Sequence, residues 1–178
     1  MKNLLLSEKW RPKTIEDVIL LPRIRKIFEN GLNQNVILYG HFGTGKTTIA
    51  RILIGKYLKN TPHIELNSSF YTSIDVLRSK IDDFCSKVYM GFDMDSDIPK
   101  DSIKYVFLDE FERTSTQYQD ALKAYIEEFS TKNVRFILTT NHINKVSLGI
   151  RSRLTEVNFD CQSTEEEKYL KTEIFKKI

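Results

Sequence analysis

Val36-Ile37-Leu38-Tyr39-Gly40-His41-Phe42-Gly43-Thr44-Gly45-Lys46-Thr47 is the stretch that decides how this chain folds. Four apolar residues run directly into the pattern G-x-x-x-x-G-K-[ST], so a buried strand hands over to a helix through a glycine-rich loop. The glycines let successive backbone N–H groups turn inward on a β-phosphate. Lys46 carries a charge to the β- and γ-phosphate oxygens, and the Thr47 hydroxyl is suited to ligate Mg²⁺. Gly40, Gly43, Thr44, Gly45, Lys46 and Thr47 are therefore expected to hold a nucleotide's phosphates.

Outward from that loop, strands alternate with helices. Pro22 opens an amphipathic helix with Ile24, Ile27 and Phe28 inward, and Gly31 is placed to end it. After the loop, Ile49, Ile52, Leu53 and Tyr57 recur at helical spacing, the helix stops before Pro62, and His63-Ile64-Glu65-Leu66-Asn67 reads as a second strand. A helix is expected over about 74–88, a loop over 91–101, and a third strand over 103–108. Ala121, Leu122, Tyr125, Ile126 and Phe129 mark another helix, followed by a strand over 134–139 and a short one over 157–159. Thr164-Glu165-Glu166-Glu167 has the form of a capping box for a last helix. This alternation predicts an α/β fold with a parallel sheet flanked by helices.

The chain's 178 residues, 40% of them hydrophobic, suit one domain, or one domain with the beginning of another. A net charge of +3 is too small to announce a nucleic-acid binder by composition. Cys85 and Cys161 are far apart with no histidine at ligand spacing, which argues against a zinc site or a disulfide framework and suits a reducing cytoplasm. No stretch has the apolar length of a membrane span, and Leu4-Leu5-Leu6 is too short for a signal segment, so no membrane partner is expected.

A phosphate loop needs an acidic strand end beside it to hold magnesium and orient water. Asp109-Glu110 supplies one at the end of the third strand, with Asp109 expected to hold Mg²⁺ through its water shell and Glu110 to act as the base. Asn141, at the polar end of the fourth strand, is the candidate sensor of the γ-phosphate. Arg151 and Arg153 meet no acidic residue before Glu156, and guanidinium groups bind phosphate bidentately, so this segment can serve as a finger into a neighbouring subunit's nucleotide.

Lys9-Trp10-Arg11-Pro12-Lys13-Thr14-Ile15-Glu16-Asp17-Val18, the phosphate loop, Ser73-Ile74-Asp75-Val76-Leu77-Arg78, Asp109-Glu110-Phe111, Asn141 and Ser152-Arg153 together resemble the AAA+ ATPase subunits of sliding-clamp loaders. Within that family the chain is most similar to the large subunit of T-even-type bacteriophage loaders and to replication factor C small subunits. Asp109-Glu110-Phe111 and the compact length favour the phage type, and two cysteines cannot build the four-cysteine zinc module of bacterial loaders. The resemblance implies a P-loop core with strand order 5-1-4-3-2 over 1–162, and over 163–178 the first helix of a truncated lid.

The same resemblance implies that Glu8, Lys9, Trp10, Arg11 and Pro12 wrap the adenine and ribose, with Ile19 against the base and Thr48 joining the phosphate-binding set. Trp10 stands where the family more often has Tyr, and His41-Phe42 where it has small residues or Pro. Arg153 takes the trans finger role, with Arg151 as its competitor. Arg78 and Lys80 are expected to share the exposed side of one helix and contact DNA backbone. The implied cofactors are ATP and Mg²⁺. The implied partners are a sliding clamp, other loader subunits and primer–template DNA, in the cytoplasm, the host's if phage-encoded. Two other functions compete: a branch-migration or helicase-loading motor, and a module that binds nucleotide without hydrolysing it. Glu110 opposes the second, because such a module has no use for a base beside its magnesium.

Overall fold

A computed structural model describes residues 12, 14–29, 32–57, 62–70, 74–86, 103–129 and 131–177. Its helices are α1 (Pro22–Glu29), α2 (Lys46–Tyr57), α3 (Ile74–Ser86), α4 (Thr116–Phe129), α5 (Leu148–Arg151) and α6 (Thr164–Lys177). Its strands are β1 (Val36–Tyr39), β2 (His63–Asn67), β3 (Lys104–Asp109), β4 (Val134–Thr140) and β5 (Thr155–Asn158). All strands pair in parallel, in the order β2-β3-β4-β1-β5, which is the expected 5-1-4-3-2 read from the other edge.

Alternation along each strand splits the apolar residues between the two faces. Val36 and Leu38 of β1, with Tyr105 and Phe107 of β3, pack on Ile24 and Phe28 of α1 and Ile49 and Leu53 of α2. Ile37, Val106, Leu108, Phe136 and Leu138 face the other way, onto Leu77 and Ile81 of α3, Tyr118, Leu122 and Ile126 of α4, and Ile150 of α5. Each fully buried side chain of this kind contributes about 1.5–3 kcal/mol, so both layers are needed to hold the sheet. The parallel register aligns the carboxyl ends: Asn67 lies opposite Asp109, and Tyr39 opposite both Thr140 and Asn158. Open α/β sheets bind ligands at this edge.

Local details differ from the sequence reading. The last helix is capped one residue early: Ser163 Oγ accepts the Glu166 N–H at 3.2 Å, and Glu166 reaches back to the Gln162 N–H at 2.8 Å. The arginine segment, read without secondary structure, contains the short helix α5, and single 3₁₀ turns follow β3 at Phe111–Arg113 and β4 at Ile143–Lys145. Such one-turn pieces carry too few residues for a periodic signal. Gly31 and the expected loop over 91–101 lie outside the described residues. Among the described residues, no helix is long and apolar enough to cross a membrane.

Candidate functional site: a phosphate loop beside an acidic strand end

The loop turns where the glycines stand. Gly43 and Gly45 have φ of 80° and 90°, a region that side-chain-bearing residues avoid. Gly40 is required twice over, by its φ of 142° and because a Cβ there would meet Asp160 Oδ1 at 2.9 Å. Thr44 Oγ1 donates to the His41 carbonyl at 2.8 Å, closing the turn on itself. Lys46 opens α2 and folds back over the loop, its Nζ donating to the carbonyls of Gly40 (2.8 Å) and His41 (2.6 Å) and to Thr44 Oγ1 (3.3 Å). With 6% of its surface exposed, it is a buried cation held mostly by neutral oxygens. Burial lowers its pKa, opposed by the charges of Asp160, Glu112 and Asp109. An anionic ligand in the loop would give this ammonium the partner that carbonyl dipoles supply incompletely.

Thr47 joins the loop to the acidic strand end. Its hydroxyl donates to Asp109 Oδ1 at 3.0 Å, and the same oxygen accepts the Glu110 N–H at 3.1 Å and the Thr139 hydroxyl of β4. The expected magnesium pair is therefore in direct contact across 62 residues of sequence. Glu110 sits in the left-handed region, φ 54°, a strained setting for a residue with a side chain. Its carboxylate takes the Ser69 hydroxyl and pairs with Arg113 at 3.3 Å. Asn141 donates from Nδ2 to Glu112 Oε1 (2.8 Å) and from its backbone to Oε2 (3.2 Å). Burial opposes ionisation of Glu112, yet its own backbone amide, Asn141 and Thr140 bring its carboxyl below the ordinary carboxylate value. Ser69, Glu112, Arg113 and Asn141 line a cleft of about 590 Å³ with the exposed Phe42 at its edge. Thr48 and Asn141 line the mouth of the loop itself, with Phe42, Gly43, Gly45, Lys46 and Thr47.

On the other side of the loop lies a mainly apolar cavity of about 310 Å³. Ile19, Leu21, Ile24 and Phe159 wall it, Leu170 and Ile174 of α6 cover it, and Gly43 and Thr44 connect it to the phosphate loop. Ile19, expected to lie against the base, lines this cavity. Pro12 is half-buried and is not among the cavity's walls, while Glu8, Lys9, Trp10 and Arg11 lie outside the described residues.

The remaining sequence candidates lie away from the loop or are engaged elsewhere. Arg153 is half-buried: Nε donates to Glu127 Oε1 of α4 at 2.7 Å, Nη2 pairs with the same carboxylate, and Nη1 donates to the Gly149 carbonyl at 2.5 Å. Arg151 makes a two-point pair with Glu156, at 2.7 and 3.1 Å. Both arginines therefore have acidic partners in their own chain, Arg153's being 26 residues upstream on another helix. Arg78 and Lys80 do not share one side of α3. Residues two positions apart in a helix are about 200° apart around its axis, so these two flank the buried Leu77–Ile81 stripe, Arg78 exposed and Lys80 partly covered. Sequence reading missed Asp160, Arg23, Glu112, Ser69 and Glu127, none of which belongs to a spaced motif.

A glycine loop leading into a helix, a buried lysine and a threonine-bonded aspartate at the sheet's carboxyl edge define a P-loop nucleotide-binding domain. Residues 36–160 match the model of the ATPase family associated with various cellular activities (AAA), and the chain belongs to that family. It is 37% identical over 160 residues to replication factor C subunit 5 of Arabidopsis thaliana, covering 85% of this chain and 41% of the relative. It is 34% identical over 166 residues to the replication factor C small subunit of Saccharolobus solfataricus, covering 89% and 48%. The chain thus spans about half the length of these relatives. Its fold is similar to the Thermotoga maritima RuvB Holliday junction branch migration motor, with a TM-score of 0.66 at 19% identity, over 90% of this chain and 52% of that one.

Proposed function

We propose that this chain is the ATP-binding and ATP-hydrolysing core of a sliding-clamp loader subunit, acting in DNA replication. The observation that carries the reading is the Thr47–Asp109 contact beside the buried Lys46, which brings the two halves of a magnesium–nucleotide site together. Mg²⁺ and ATP fit the residues present: a hydroxyl and a carboxylate for a hard cation, a lysine and backbone amides for phosphate, and an apolar cavity for the base. When bound, magnesium neutralises charge on the phosphate oxygens. Glu110, at the end of β3, accepts a proton from the attacking water, and Asn141 marks the γ-phosphate position. The Ser69, Arg113 and Glu112 contacts hold Glu110 and Asn141 in place until nucleotide competes for them.

Arg153 acts in trans, leaving Glu127 to enter a neighbouring subunit's cleft, and Arg151 stays with Glu156. Residues 1–162 form the core and α6 begins a lid that covers the base. Glu8, Lys9, Trp10, Arg11 and Pro12 complete the adenine site with Ile19. Clamp, fellow subunits and primer–template DNA are the partners, with Arg78 and Lys80 contacting DNA from either side of α3. A bacteriophage source, and with it a host-cytoplasm location, rests on Asp109-Glu110-Phe111. The similarity to replication factor C subunits supports a loader over a branch-migration motor. Steady-state phosphate release, with and without clamp, primed DNA and candidate partner subunits, tests this: stimulation by clamp and DNA supports it, and vigorous turnover by a lone monomer overturns the trans mechanism.

A further inference from the structure

A chain of contacts that no motif marks ties the phosphate loop to the last helix. Asp160 follows β5, and its Oδ1 accepts the His41 N–H at 2.7 Å and pairs with His41 Nδ1 at 2.9 Å. The packing is close, since a Cβ on Gly40 would stand 2.9 Å from the same oxygen and 3.2 Å from the Asp160 nitrogen. Arg23 of α1 fixes Asp160 from behind. Its Nη2 donates to the Asp160 carbonyl at 2.6 Å, Nη1 to the Asn158 carbonyl at 2.5 Å, and Nε to Glu166 Oε1 at 2.8 Å. Glu166 lies in the first turn of α6 and holds that turn through the Gln162 N–H. One guanidinium therefore joins α1, the turn after β5, and α6, and the turn it holds grips the loop.

We propose that Asp160 is the positioning residue of the phosphate loop and that Arg23 ties its setting to the seating of α6, so that a shift of α6 reaches the loop that binds nucleotide. The inference rests on the nucleotide-binding reading. A carboxylate beside a phosphate site would repel the ligand if its charge were free. Here Oδ1 accepts the His41 N–H and lies 2.9 Å from His41 Nδ1, and Lys46 is near enough to offset the remaining charge. Burial raises the Asp160 pKa, but the His41 hydrogen bonds and the charges of His41 and Lys46 outweigh it, leaving the carboxyl below its ordinary value. Charge-assisted hydrogen bonds held on a fixed backbone restrict the loop more than neutral ones do. Glu166 is not among the residues lining the cavity, and it acts on binding through its bond to Arg23 or through the seating of α6, whose Leu170 and Ile174 line that cavity.

The test is titration of a fluorescent ATP analogue with magnesium against the full chain and its variants, with thermal melting in the absence of nucleotide as a control. Asp160→Ala is expected to weaken binding about tenfold, and Asp160→Asn, which keeps an acceptor for the His41 N–H, by no more than about threefold. Glu166→Gln is expected to weaken it about threefold, and the Asp160→Ala/Glu166→Gln double variant to bind no worse than Asp160→Ala alone, because both act along one path. Equal losses for Asp160→Ala and Asp160→Asn, strictly additive losses, or unchanged binding by Glu166→Gln would each overturn the relay. If Asp160→Ala does not fold, Asp160→Asn and Glu166→Gln decide alone. A parent that binds and loses binding with Lys46→Ala, but not with Asp160→Ala, refutes only the relay. A parent indifferent to Lys46→Ala refutes the nucleotide reading and the relay with it.

Discussion

The phosphate loop and the arginine segment use the same kinds of group in opposite ways. Around the loop, Thr47 and Thr139 both donate to Asp109 while Lys46 folds onto the loop carbonyls, so the groups that would surround a magnesium nucleotide are assembled within one chain. In the segment around α5, Arg153 and Arg151 are spent on Glu127 and Glu156 of their own chain. A group acting within its own chain can be preorganised by packing, whereas a group meant for a neighbour must stay satisfied alone yet be releasable. Half-exposed ion pairs suit the second task, because solvent screening keeps them weak.

The sharpest way to break this contrast is Arg153→Ala in an assembled complex. Turnover is expected to fall by about 10³ or more while the mutated subunit's own ATP affinity stays nearly intact, and Arg151→Ala to do much less. Phosphate release together with nucleotide titration on both variants reads this, and equal losses would erase the distinction between the two arginines. Glu110→Gln sharpens the other side: it is expected to keep nucleotide binding and cost about 10²–10³ in assembled turnover, because a neutral amide of the same size replaces the proton-accepting carboxylate. Lys46→Ala should weaken triphosphate binding about a hundredfold, followed with a fluorescent ATP analogue. A tight-binding Lys46→Ala chain would mean that the loop is not the phosphate site.

The smallest effect concerns pH. Hydrogen bonds depress the folded-state pKa of Glu112, so its carboxylate adds stability above the unfolded value of about 4.3 and loses that contribution as pH falls through the folded value. Glu112→Gln should therefore be less stable than the parent at neutral pH and show a shallower loss below about pH 4. Chemical denaturation across pH reads both, and parallel acid limbs would detach Glu112 from the Asn141 contact.

Legibility in the sequence tracked the range of the cause. The four-residue apolar run before Gly40, the Asp109-Glu110 strand end and helix α3 follow from side-chain period and local turn chemistry, and the strands fall within a residue or two of expectation. The Arg78–Lys80 pairing failed because a spacing of two cannot share a helical side. The ionic partners were hidden for another reason: Asp160 meets His41 across 119 residues and Arg23 meets Glu166 across 143. No local pattern encodes such a meeting.

What the sequence determined by itself is the chemistry of the loop and the alternation that builds a parallel sheet, since both depend on backbone freedom at glycine and on side-chain period. Tertiary structure alone decided which partner each carboxylate meets: Glu127 the Arg153 guanidinium, Glu112 the Asn141 amide, and Asp160 the loop. Charge pairing depends on distance in space, and that distance exists only once parallel register and helix packing have brought remote segments to the same edge.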